Sequence, residues 1–352
     1  MIDIVVNASL LAADVAILFL LRRRPKPEVF AGLFAAGGIA SLFLAFIVGG
    51  DSFGMMRVLA WAIFVHGVVV LAGGAIILWK PRRNFGIAAA AASALTLLVG
   101  VDAFFVEPHW LEVTRVKISS PKVSRRFTIA VVADLQTDVI GDYERQALER
   151  VAHEKPDLIL FAGDYIQEHD PQRRKELMRE LRDALRAAGL TGLKAAMAVE
   201  GNCDSDDWPA IFEKTGIAWT KETRTVSEGD LQITGLSLAD SFNTRLAVPE
   251  SERFHIALGH APDFALGDVK ADLLIAGHTH GGQVRLPGIG PLITLSSVPR
   301  SWAAGMTEQT GGRTLIVSRG IGMERGRAPR LRFLCRPQLV FVDVAPESGS
   351  RH

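Results

Sequence analysis

Five residues able to hold a divalent cation each stand directly after a short apolar run. Asp134 follows FTIAVVA, Asp164 follows DLILFAG, Asn202 follows KAAMAVEG, His260 follows FHIALG and His278 follows DLLIAG. Carboxylate, amide carbonyl and imidazole together suit a pair of divalent cations such as Mn, Fe or Zn. A metal pair about 3.5–4 Å apart would clamp a phosphoryl group and generate hydroxide at neutral pH. Gly163, Gly201, Gly259 and Gly277 stand immediately before or beside these residues and let backbone come close to a site. His278 also opens the densest stretch of the chain, Gly277-His278-Thr279-His280-Gly281-Gly282-Gln283. His255, inside an apolar run, reads instead as a strand histidine, and His109, His153 and His169 as surface or linker histidines.

Elements able to position these groups follow from the same runs. Apolar runs of five or six residues alternate with helical patterns near 142–154 and 171–187, which predicts an α/β sheet. Further runs at 223–236, 314–318 and 338–344 have less helix between them and predict a second sheet packed on the first. Ligands of α/β sheets bind at the carboxyl ends of strands, so five ligand types at five strand ends would converge on one site.

The remainder of the chain is of a different character. Residues 1–106 hold 8 of the 39 Lys and Arg and 5 of the 38 Asp and Glu. Four apolar stretches, 2–21, 29–50, 55–79 and 85–106, are each about 20 residues or longer, about 30 Å as helix and enough to cross a bilayer. This excludes an all-soluble protein, a disordered chain and a disulfide-dense scaffold. A cleaved signal peptide is excluded too, because Arg22, Arg23 and Arg24 follow the first stretch rather than precede it. Loop charges (Arg22–Arg24 and Lys26 after the first span, Lys80, Arg82 and Arg83 after the third) put those two loops in the cytoplasm. Residues 107–352 are then extracytoplasmic, on an inner or plasma membrane. Asp14, His66 and Asp102 lie within spans, where ionisable groups are costly, and Asp14 and His66 are placed to meet inside the bundle. The part after residue 106 keeps 31 basic and 33 acidic residues. It carries no electrostatic footprint for nucleic acid.

Asp134-Leu-Gln136, Gly163-Asp164, Gly201-Asn202-Cys203-Asp204, Gly259-His260 and GHTHGGQ at 277–283, in that order, resemble the calcineurin-like metallophosphoesterases, whose pattern is D-x-H, GD, GNH(D/E), a lone H and GHxH. GHTHGGQ, Ser318-Arg319-Gly320-Ile321-Gly322 and Cys335-Arg336-Pro337 are similar to the bacterial membrane-associated branch. The resemblance covers about 127–344 and not the spans. It implies a four-layer α-β-β-α sandwich; preceded by the four-helix transmembrane region read from the apolar stretches, this gives domain bounds 1–106 (spans), 107–126 (linker), 127–345 (catalytic domain) and 346–352 (disordered tail). It further implies one metal on Asp134, Gln136, Asp164 and His280 and another on Asp164, Asn202, His260 and His278, with Asp164 bridging. The substrate would be a phosphodiester, pyrophosphate or phosphomonoester, and the short linker near the bilayer motivates a lipid-linked one.

Two positions depart from the family pattern. Gln136 replaces a histidine; its carbonyl can ligate a hard cation but is neutral and weaker for Zn or Fe. Mn is therefore the expected metal, with Fe, Zn or Mg as alternatives. Cys203 replaces the histidine that the family places to stabilise the phosphoryl group or protonate the leaving group, with Asp204 as its neighbouring acid. Cys203 and Asp204 are thus the candidate catalytic pair. A thiol is a poor substitute for an imidazolium donor, so phosphodiesters or pyrophosphates with good leaving groups would tolerate it best. Two alternatives stay open. One is a catalytically weak metal-binding membrane sensor or scaffold. The other is an enzyme like a UDP-diacylglucosamine pyrophosphatase, which would need a cytoplasmic domain.

Overall fold

A computed structural model of the chain describes residues 2–192 and 195–347. The chain divides into two compact units, the first covering the N-terminal helices up to Val106 and the second running from Glu107, apart from 326–330.

In the first unit four helices, Asp3–Arg23, Pro27–Val48, Ser52–Trp79 and Arg83–His109, are long and apolar enough to cross a membrane. Their outward faces carry Ile4, Phe46, Ile76 and Phe105 largely exposed, an apolar exterior of the kind a hydrocarbon environment accepts. Asp14 and His66 turn inward and are buried. His66 Nδ1 lies 2.6 Å from Asp14 Oδ2, and its Nε2 lies 3.2 Å from Asn7 Oδ1. His66 sits in a π-helical turn, Ala62–Gly67; the extra residue of such a turn re-aims the side chains around it.

The second unit is built on two six-stranded sheets. The first runs in the order Glu112–Ser120, Gln338–Pro346, Phe127–Val132, Leu158–Phe161, Ala196–Val199, Ala218–Thr220. The second runs Gly305–Glu308, Thr314–Val317, Leu273–Ala276, Phe254–Leu258, Leu231–Gly235, Arg224–Glu228. Ile129, Val131, Leu160 and Val199 of the first sheet share one buried cluster with Ile256, Leu258, Ile275 and Ile316 of the second. Leu158–Phe161 and Leu273–Ala276 are parallel to both their neighbours and buried on both faces, which is why they read as continuous apolar runs rather than alternations.

Helices Asp142–His153 and Pro171–Ala187 cover the outer face of the first sheet. The second starts with Asp170 accepting hydrogen bonds from the Gln172 and Arg173 amides and with proline in its first turn. Its Leu177, Leu181, Ala184 and Leu185 fall at helical spacing on the buried side. Over the second sheet the outer layer is thin. The Leu238–Ser241 helix and the Pro262–Leu266 turn stand there, over a cluster of Leu236, Phe264, Leu274 and Leu315.

Two segments differ from the sequence expectation. The run at 338–344 joins the first sheet, between Glu112–Ser120 and Phe127–Val132, not the second. Residues 107–126, expected as a linker, contain the strand Glu112–Ser120, paired in parallel with Gln338–Pro346. Its half-exposed, charge-bearing sequence is what an edge strand tolerates. Within the expected C-terminal tail, 348–352 lie outside the described residues.

Candidate metal centre

The chemistry-bearing residues occupy the ends of adjacent strands, as the runs require. Asp134 lies just past Phe127–Val132, Asp164 past Leu158–Phe161 and Asn202 past Ala196–Val199, all in the first sheet. His260 and His278 follow Phe254–Leu258 and Leu273–Ala276 in the second sheet. The site therefore spans the carboxyl ends of both sheets, where their strands face each other across the core.

Ligating atoms of Asp134, Asp164 and His260 all lie within 4.8 Å of one another. His260 Nε2 is 3.5 Å from Asp164 Oδ2 and 2.8 Å from Asn202 Oδ1. His260 Nδ1 donates to the Ala162 carbonyl at 2.8 Å, which fixes the tautomer and leaves the Nε2 lone pair facing the carboxylates. His278 is oriented in the opposite sense, with Nε2 donating to the Leu295 carbonyl at 3.0 Å, so that Nδ1 keeps its lone pair. The two rings stand 5.0 Å apart, and Phe242 packs edge-on against His278 at 5.0 Å. Asp134 accepts the His278 amide at 3.0 Å and Asp164 accepts the Cys203 amide at 2.8 Å. Each carboxylate is thereby tied to the next loop of the site.

The backbone is held in an unusual state at these positions. Asp134, Gln136, Asp164, His278 and His280 all have positive φ, between 34° and 69°. For residues with a Cβ this costs of order 1–2 kcal/mol each. Five of the ten such non-glycine residues among the described residues stand in this one site, which marks a constellation whose geometry the fold imposes.

Burial sets the protonation states. It raises Asp134, with help from the nearby Asp164 charge, and pushes Asp164 up to about 6. Burial lowers His260 to about 4 and, together with the neighbouring His260, lowers His278 to about 4. His280 is lowered by burial and then by the Arg332 guanidinium. All three imidazoles are neutral at neutral pH, the form a metal ligand requires. Burial, followed by the Asp164, Glu324 and Asp204 carboxylates, pushes the Cys203 thiol up, so the sulfur keeps its proton.

Two atoms test whether this donor set fits a cation. Gln136 Oε1 and His280 Nε2 are both buried and have no hydrogen-bond partner. A buried polar atom left unmatched costs about 1–3 kcal/mol. Both belong to the ligand set that the family pattern assigns to one metal, together with Asp134 and Asp164. The donor set is oxygen- and imidazole-based and fits a divalent ion of Mn type.

Asp204 differs from its expected role. Its Oδ2 accepts from the Asp164 and Gly201 amides at 2.9 and 2.8 Å, and its Oδ1 from the Tyr165 amide at 2.8 Å. Both oxygens are thus committed to backbone. Asp204 clamps the two loops that carry Asp164 and Asn202, and it is not placed to move a substrate proton. Cys203 has a free thiol, as does Cys335, and its sulfur lies 3.1 Å from Gln136 Nε2.

Sequence reasoning passed over three residues of the site. Arg332 is completely buried and donates to the Arg319 and Cys335 carbonyls at 2.7 and 3.0 Å and, through Nε, to the Gly322 carbonyl at 3.1 Å. Gln167 and Glu324 sit against the Gln136 amide. Arg332 and Glu324 come from the charged segment 324–332, ERGRAPRLR, which looks like solvated loop in the sequence.

Comparison with known proteins agrees with this geometry. The profile of the family described as Calcineurin-like phosphoesterase matches residues 127–282. An uncharacterized metallophosphoesterase of Bacillus subtilis, YkuE, is 32% identical over 281 residues, covering 73% of this chain and 93% of that protein. The Escherichia coli phosphodiesterase YaeI is 25% identical over 301 residues, covering 75% of this chain and 98% of its own. An uncharacterized metallophosphoesterase of Aquifex aeolicus is 24% identical, covering 68% and 94%.

Proposed function

We infer the function from the premise that the chain belongs to the calcineurin-like phosphoesterase family and is a phosphate-ester hydrolase. We propose that it hydrolyses a phosphodiester with the help of two divalent ions, Mn being the best match. One ion would be held by Asp134, Gln136, Asp164 and His280, the other by Asp164, Asn202, His260 and His278. The observation that carries this reading is the pair of buried, unpartnered atoms, Gln136 Oε1 and His280 Nε2, beside the Asp134–Asp164–His260 cluster.

Bound ions would supply Lewis-acid polarisation of the phosphoryl oxygens and acidify a water at neutral pH. The protein's own part is to hold the ligands in fixed orientations: the Ala162 and Leu295 carbonyls orient His260 and His278, the Asp204 clamp seats the loop of Asp164, and the His278 amide holds Asp134. No imidazolium stands at position 203, and the Cys203 thiol is protonated but weak as a donor. Leaving groups that need little protonation are therefore favoured, which selects activated diesters and pyrophosphates over alkyl monoesters. The name carried by the Escherichia coli relative supports the diester reading.

A lipid-linked substrate is the finer part of the proposal. The segment 284–296 contributes Ile289, Leu292, Ile293 and Leu295 to the surface at 62%, 43%, 39% and 51% exposure. Leu295 is the residue whose carbonyl orients His278, so this apolar rim adjoins the site. The four spans would keep the enzyme at a bilayer, and the loop charges support an extracytoplasmic catalytic domain bounded at about residue 107. The test is hydrolysis by the full chain in proteoliposomes, comparing a lipid phosphodiester with a water-soluble aryl phosphodiester. Preference for the lipid ester, reduced by Ile289→Ser with Ile293→Ser, is expected. Equal rates on both substrates, indifferent to these substitutions, would remove the lipid-linked reading. A reporter fused at the C-terminus and active only in the cytoplasm would reverse the orientation.

A further inference from the structure

Gln136 poses a problem that a histidine would not. The two ends of a side-chain amide are nearly the same size, and rotation by half a turn exchanges an acceptor oxygen for a nitrogen that only donates. Only the oxygen can face a cation. An amide used as a ligand therefore needs a neighbour that can tell its ends apart.

Glu324 is such a neighbour. Its Oε2 accepts from Gln136 Nε2 at 2.9 Å, while Cys203 Sγ and Gln167 Oε1 lie 3.1 and 3.2 Å from the same nitrogen. All three face the NH2 end as acceptors. The opposite end, Oε1, is left buried and without a partner. Glu324 is fixed in turn. Its Oε1 accepts from Gln167 Nε2 at 2.6 Å, and its backbone amide donates to Oε1 of Gln283, the last residue of the GHTHGGQ run, at 2.9 Å. Arg325 closes the network, with its amide donating to Gln167 Oε1 at 2.6 Å and its Nε to the Gln136 carbonyl at 3.0 Å. The two departures from the family pattern, Gln136 and Cys203, thus meet in one contact, where the sulfur is an acceptor that fits the amide.

We propose that Glu324 is a positioning residue that locks the Gln136 amide with its oxygen toward the cation site, making that site selective for a hard divalent ion such as Mn over Zn. A carboxylate that orients a metal ligand from behind is a known device for histidine; here it serves an amide. The proposal rests on the metal-centre reading above.

The test uses the full chain in detergent, stripped with a chelator, with Mn and Zn binding followed by calorimetry and Mn by electron paramagnetic resonance. The native chain is expected to bind two Mn ions with a spin-coupled signal. Glu324→Gln offers an NH2 group to position 136 and permits the amide to turn. It should weaken one of the two Mn sites about 10- to 100-fold, the range for outer-shell ligand partners, and abolish the coupling while the other site still fills. The reciprocal exchange, Gln136→Glu with Glu324→Gln, restores a donor behind and an oxygen in front, and should recover both. Gln136→His should shift the weaker site's preference toward Zn. Unchanged Mn binding and coupling in Glu324→Gln would overturn the proposal and leave the metal centre standing. Loss in the single variant without recovery in the exchange would reduce Glu324 to a structural role and overturn it as well. A native chain that binds no Mn would instead overturn the metal-centre reading itself.

Discussion

Asp164 joins the two halves of the site: its Oδ2 is 3.5 Å from His260, its Oδ1 takes the Cys203 amide at 2.8 Å, and burial raises its carboxyl to about 6. Asp164→Ala is expected to lower turnover by roughly 10²–10³-fold or more, the scale of losing a preorganised electrostatic group, read as initial rates at saturating Mn. The raised carboxyl also gives cation binding a pH dependence of known sign. His260 and His278 are already neutral above about 4, so near neutrality the competing protons are those of the carboxylates. Mn affinity should therefore rise with pH through about 6, by up to about tenfold per unit for each proton displaced. Calorimetry in buffers of different ionisation enthalpy should show proton release on Mn binding that grows as pH falls toward about 6, where Asp164 takes up its proton. At this scale much was legible in the sequence. Asp134, Asp164, Asn202, His260 and His278 could be found because each ends an apolar run at its carboxyl end, and a buried strand has little other use for a polar metal-ligating group there. Glu324 and Gln167 gave no such signal. They lie in polar loops, and only the folded chain shows that they surround one amide.

The strands deliver these residues, but the turns after them decide where the side chains point. Gly322 follows the SRGI segment, and its amide donates to the Asp134 carbonyl at 2.7 Å. A Cβ there would lie 1.9 Å from the Leu135 carbonyl oxygen, a backbone atom that cannot step aside. Gly322→Ala should cost about 1–3 kcal/mol or more, the range for overpacking, seen as a lowered midpoint in thermal unfolding. It should weaken metal binding too, because the same loop seats Asp134. Arg332→Leu keeps most of the volume but deprives the Gly322, Arg319 and Cys335 carbonyls of their donor. A loss of about 3 kcal/mol is expected from the same measurement, since hydrogen bonds to charged groups are each worth about 1.5–3. The alternation of apolar runs and helical patterns made the α/β architecture and its two outer helices readable in advance. The place of 338–346 was not, because a buried apolar strand looks alike in either sheet and its partners, 112–120 and 127–132, are distant in sequence. The edge strand 112–120 was hidden for the opposite reason: six of its nine residues are polar, as an edge allows.

Taken whole, the chain couples a hydrolase of this family to four helices able to span a membrane. Length and apolarity alone made those helices legible, since nothing in a soluble fold demands four such stretches in succession. The contact between Asp14 and His66 ties the first helix to the third inside the bundle. Asp14→Ala should destabilise the bundle by about 1 kcal/mol, the scale of polar contacts between helices in membranes, measured by unfolding in mixed micelles, and should leave hydrolysis of a water-soluble ester unchanged. The central claim is that this chain hydrolyses phosphodiesters through a divalent-metal site even though Cys203 stands in place of a histidine. The most direct measurement is the rate of aryl phosphodiester hydrolysis by the full chain in detergent, after chelation, after Mn is restored, and with Asp164→Ala in parallel. The account predicts turnover that vanishes on chelation, returns with Mn and is lost in the variant. Two Mn ions bound with no turnover, and activity created by Cys203→His, would contradict it.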